Sequence, residues 1–112
     1  MSASLALNLR RPIYGKSQSK AYTGTAGVID ADLPSGCNSV MVWCTTNACV
    51  KVGPNSSGTP LAATTADVPL AANTMVILPV EPPTAGGAEN SMRVSAIQLA
   101  TSGTLYVQPL AD

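Results

Sequence analysis

Val40-Met41-Val42-Trp43-Cys44-Thr45-Thr46-Asn47-Ala48-Cys49-Val50-Lys51-Val52-Gly53 holds two runs of alternating, β-favouring residues separated by a Thr-Thr-Asn break. Such a pattern reads as two strands and a turn. If Thr46-Asn47 is a two-residue turn, Thr45 pairs with Ala48, Cys44 lies directly across from Cys49, and Trp43 faces Val50 on the other side of the sheet. Trp43, Met41, Val50 and Val52 then share one face, while Val42, the two cysteines and Lys51 share the other. A three-residue loop would instead set Cys49 across from Thr45. The cysteines have three readings: a metal knuckle, a redox pair, or small apolar residues in a β-structure. The last is preferred. Four residues separate Cys44 from Cys49, which is not the CxxC spacing of redox enzymes. Three cysteines in all, with Cys37, fall short of a full thiolate zinc site.

Outward from this stretch the chain reads as β throughout. Nine prolines and nine glycines punctuate its 112 residues, and no uninterrupted stretch holds apolar residues at helical spacing. Strands are expected at Leu5 to Leu9, Lys20 to Thr23, Gly27 to Leu33, Val40 to Thr45, Ala48 to Val52, Thr74 to Val80, Arg93 to Leu99 and Thr104 to Gln108. So many short strands in one domain-sized chain indicate an all-β fold, a jelly-roll-like β-sandwich. Residues 54–67 and 81–90, rich in Ser, Thr, Gly, Pro and Ala, are expected as long loops at its ends. Arg93 to Leu99, the turn Ser102-Gly103 and Thr104 to Val107 read as a closing core hairpin. In its first strand Val94, Ala96 and Gln98 alternate with Arg93, Ser95, Ile97 and Leu99.

Composition excludes several kinds of chemistry. There is no histidine, so neither a Ser-His-Asp nor a Cys-His nucleophile can be built, and no convergent cluster of reactive groups stands out. No catalytic, cofactor-binding or metal-ligating residue is therefore assigned. Asp30 and Asp32 would share one face of a strand, a pattern open to calcium or glycosidase chemistry. The additional oxygen ligands and flanking cleft those would need are not visible, so the pair reads as solvent-facing. Asp67, Glu81 and Glu89 are isolated loop acids. Basic residues follow, rather than precede, the short apolar stretch at the N-terminus, and no apolar run approaches membrane-spanning length. Synthesis in a reducing cytoplasm without membrane insertion is the expectation.

The charge pattern singles out the N-terminal segment. Only 11% of residues are charged and the formal net charge is zero, so copies repel one another weakly and much of the surface is suited to being covered. Four of the six basic residues, Arg10, Arg11, Lys16 and Lys20, lie in RRPIYGKSQSK beside Tyr14 and near Tyr22, before any acidic residue. Residues 1–24 are accordingly read as an extended basic arm on a sandwich domain of residues 25–112. Arg10, Arg11, Tyr14, Lys16, Lys20 and Tyr22 are the candidate partner-binding residues. A neutral chain without a stacking platform is a poor dedicated nucleic-acid binder.

CTTNACVKVG, the Pro/Ser/Thr loop after it, the strand TMVILPV and the closing MRVSAIQLATSGTLYVQPLAD together resemble a recurrent type of small tailed-phage structural protein. The likeness covers roughly residues 25–112. Its anchors are Val52-Gly53, Val94-Ser95-Ala96-Ile97 and Ser102-Gly103-Thr104-Leu105-Tyr106-Val107. More narrowly, the chain is similar to the decoration (cement or staple) proteins on the heads of epsilon15-like podoviruses. The resemblance implies a non-enzymatic virion protein on the capsid exterior, made in the host cytoplasm. Its partners would be the major capsid protein and copies of itself, as a dimer first and a trimer second. The competing expectation is a tail or head-fibre component or a glycan-binding sandwich, with Trp43, Tyr14, Tyr22 or Tyr106 stacking on sugar. An exposed aromatic beside polar groups in a concave site would favour the glycan reading, although Trp43 is expected in the core.

Overall fold

The computed structural model describes residues 10–81 and 91–111. The expected strand Leu5 to Leu9, the start of the arm, Glu89 and nearly all of the second long loop lie outside them. The described residues hold no helix and nine strands: β1 (Arg11–Pro12), β2 (Gln18–Tyr22), β3 (Gly27–Val28), β4 (Ser39–Cys44), β5 (Ala48–Pro54), β6 (Val68–Leu70), β7 (Val76–Pro79), β8 (Met92–Gln98) and β9 (Gly103–Ala111). They form two antiparallel sheets packed as a β-sandwich. The front sheet runs β1-β9-β4-β7, with β2 pairing to β9 on the same edge as β1, and the back sheet runs β3-β8-β5-β6.

The pairing is nested: β2 with β9, β3 with β8, β4 with β7, β5 with β6. Two further pairings, β4 with β9 and β5 with β8, complete the sheets. This arrangement overturns both expected hairpins. β4 and β5 belong to opposite sheets, as do β8 and β9, so Thr45–Asn47 and Leu99–Ser102 carry the chain across the sandwich rather than turning it within a sheet. Cys44 and Cys49 are not cross-strand neighbours. Cys44 faces the core, whereas Cys49 lies on the far side of the back sheet with its thiol directed at the Thr65 carbonyl.

Alternation within each strand survives the correction. Val40, Val42 and Cys44 of β4 face Ala48, Val50 and Val52 of β5 across one core, joined there by Tyr22, Ile29, Leu33, Leu70, Met92, Val94, Ala96, Leu105 and Val107. Most of these are fully buried, and each medium-sized aliphatic side chain so placed contributes about 1.5–3 kcal/mol. The long loop 55–67 is not a free end loop. Leu61 and Ala63 are buried, Leu61 against Gly53, so this segment straps the outer side of the back sheet. Within the segment expected as an arm, β1 and β2 pair with β9.

Candidate functional site

The N-terminal residues do not form one cluster. Arg10, Arg11, Tyr14 and Lys16 are exposed, and Tyr14, at 84%, is the most exposed large apolar side chain among the described residues. Its position is built by its neighbours. The Ile13 amide donates to the Pro109 carbonyl at 2.9 Å, the Gln108 side chain donates to the Ile13 carbonyl at 3.1 Å, and Gly15 takes a φ of 78° to turn the chain. Lys20 is committed elsewhere: its ammonium donates to Asp30 at 2.8 Å. Tyr22 is a core residue, 1% exposed, with its hydroxyl 2.7 Å from Thr46 Oγ1 and accepting from the Thr46 amide. It is oriented inward because β2 alternates with Lys20 and Tyr22 on the sandwich side, which leaves Tyr22 no surface to present.

Asp30 and Asp32 do not sit together on a strand, because β3 ends at Val28 and both lie in the irregular segment that follows. Each meets a separate cation, Asp30 with Lys20 and Asp32 with Arg93 Nε, both at 2.8 Å. The Lys20 hydrogen bond and charge hold the Asp30 carboxyl below its ordinary value. Burial pushes the Cys37 and Cys44 thiols up, away from the thiolate character a nucleophile or metal ligand needs. Among the described residues no three Cys, Asp or Glu side chains come close enough to hold a metal ion.

Sequence reading missed the feature with the most recognisable binding geometry. Trp43 is not in the core: β4 turns Val42 and Cys44 inward, so Trp43 and Met41 point out from the front sheet. There Trp43 stands directly across from Tyr106 of β9, and the two rings stack with centroids 4.5 Å apart and planes 13° from parallel. Around them lies a hollow of about 330 Å³ lined by Met41, Met75, Ser17, Ser19 and Gln108 among others, with no charged side chain on its wall. Gln108 is held by its own amide, whose nitrogen donates to the Ile13 and Pro109 carbonyls. Gln18 is fixed at both ends of its amide by Ala31. Lys51 signals in the sequence that Val50 and Val52 face inward, but the side on which Trp43 falls follows only from β4 and β5 lying in different sheets.

Compared with protein families, curated proteins and solved structures, the chain matches none.

Proposed function

We propose that this chain is a non-enzymatic virion structural protein that binds the outer surface of an assembled phage capsid and stabilises the lattice. The observation that carries this reading is Tyr14, 84% exposed on a braced turn, with Arg10, Arg11 and Lys16, its neighbours in sequence, exposed as well. An exposed aromatic with cations close by in sequence on a charge-poor body suits docking on an acidic protein surface, where desolvated Tyr and Arg act as anchors. The nested strand pairing supports reading the sandwich as a jelly roll, a rigid carrier for that edge. The partners are the major capsid protein and further copies of this chain. Stabilisation works by linkage: a ligand with affinity for the assembled lattice alone favours that lattice in proportion to occupancy.

Quantitative mass spectrometry of purified particles of the virus encoding this chain tests the reading. A copy number comparable to that of the major capsid protein is expected. A handful of copies would move the protein to the tail or a head fibre, and its absence from particles would overturn a structural role. In particles with full occupancy, Tyr14→Ala combined with Arg10→Ala should lower retention of the protein on heads while leaving its fold intact.

A further inference from the structure

We infer that the hollow on the front sheet, beside Tyr106 and Trp43, is a binding site for a neutral pyranose sugar. Three features of its wall lead there. The first is the aromatic platform. Trp43 covers one face of the Tyr106 ring and fixes its plane, while the residue directly across from Tyr106 on the other side is Ser19 of β2, too short to cover the remaining face. A ring face left open and held rigid from behind offers the negative π-surface on which the C–H face of a sugar ring stacks.

The second feature is a set of oriented polar groups around that platform. The Gln108 amide nitrogen is used by two carbonyls of the protein, at 3.1 Å to Ile13 and 2.8 Å to Pro109, so its orientation is set and its Oε1 is left as an acceptor. The exposed hydroxyl-bearing residues Ser17 and Ser19 line the same hollow, and each hydroxyl can both donate and accept. Sugar hydroxyls require this mixture of donors and acceptors. The strand that carries the serines is itself pinned, since Gln18 between them is bonded through both amide atoms to Ala31. The polar rim is thus formed before any ligand arrives.

Charge is the third feature, and it selects the ligand class. None of the residues lining the hollow is ionisable to a charged form near neutral pH, which gives a sialylated or sulfated glycan no counter-charge. Met41 and Met75 complete an adaptable apolar side. At about 330 Å³ the hollow has the size of one small-ligand site of modest depth. The hollow belongs to the front sheet face and is independent of capsid binding, so copy number in particles does not bear on it.

The chain has one tryptophan, so its fluorescence reports on this site alone. The experiment titrates the full-length protein with cellotriose, maltotriose, mannotriose and chitotriose, and with sialyllactose as the charged comparison. It follows Trp43 emission and amide chemical shifts. At least one neutral trisaccharide should saturate the signal, with shifts concentrated at Ser19, Tyr106 and Gln108. Tyr106→Ala should weaken binding by about tenfold or more. Ser19→Val, which keeps a strand-favouring residue but fills the space beside the Tyr106 ring, should do the same in a protein with an unchanged spectrum elsewhere. Tyr14→Ala should leave affinity as it was. Saturation by none of the neutral sugars, tighter binding of sialyllactose, or undiminished binding in both Tyr106→Ala and Ser19→Val would overturn the assignment.

Discussion

Ser95 shows how one side chain can join three segments. It is fully buried on the outer side of β8, where its hydroxyl donates to the Gly27 carbonyl at 2.9 Å and accepts from the Ala63 amide at 3.0 Å. It thereby ties β3, β8 and the 55–67 strap together. Ser95→Ala leaves a buried N–H and a carbonyl without that partner, and a loss of about 1–3 kcal/mol is expected in urea unfolding. Cys44 yields a pH dependence. Burial raises its thiol above the ordinary 9.0, so the folded chain resists ionisation that the unfolded chain undergoes. The associated stability is complete below the unfolded value and is lost as pH rises above it toward the folded one. Unfolding midpoints measured from about pH 7 to about pH 10 should fall on the alkaline side. In Cys44→Ala the midpoint should start lower, because a core side chain is truncated, and decline less steeply.

At the scale of elements, the decisive objects are the links between strands. Thr23–Ala26, Thr45–Asn47, Ala71–Met75 and Leu99–Ser102 each carry the chain from one sheet to the other. They are bonded to one another at one end of the sandwich: Thr46 Oγ1 donates to the Thr101 carbonyl, Leu99 N–H to the Asn47 carbonyl, Ala72 N–H to Asn47 Oδ1, and Gln98 N–H to the Thr23 carbonyl. Close packing there leaves no room at Gly103, where an added Cβ would meet Thr45 Oγ1 and Thr46 Oγ1 at 2.6 Å. On the outer side of the back sheet the 55–67 strap covers Cys49. Leu61→Ala, which removes the side chain seated on Gly53, should destabilise by about 2–4 kcal/mol. It should also unmask Cys49 to a thiol-reactive dye. In the parent protein only the half-buried Cys37 should label quickly, with Cys44 and Cys49 protected until the chain unfolds.

For the molecule as a whole, nesting means that the earliest and latest described strands are partners. β9 lies between β4 on one side and β1 with β2 on the other, so it organises the entire front sheet. Removing residues from 103 onward should abolish folding altogether, with loss of the β signature in far-ultraviolet circular dichroism and collapse of amide shift dispersion. Survival of a folded core would contradict the described pairing. Strand partners this distant in sequence also place refolding in the slow millisecond-to-second regime of all-β domains. The few charges are spent sparingly: Lys20 with Asp30 and Arg93 with Asp32 are exposed pairs that add little, and the aliphatic interior carries the stability.

Local pattern by itself determined the all-β character, the sandwich, most strand positions and the alternation within each strand, because the two-residue period of a strand is written directly into which side chains are apolar. Val94 and Ala96 face the core as that period requires. Only the tertiary structure decided which strands lie side by side. A short polar break between two β-runs is the same string whether the chain turns back within one sheet or crosses to the opposite one, and the choice is made by contacts from remote strands: β9 and β7 take both edges of β4, leaving none for β5. That choice reversed the phase between β4 and β5. Trp43 moved from the expected core to the open face beside Tyr106, a residue 63 positions away along the chain, and the hollow they flank exists only because the two strands meet.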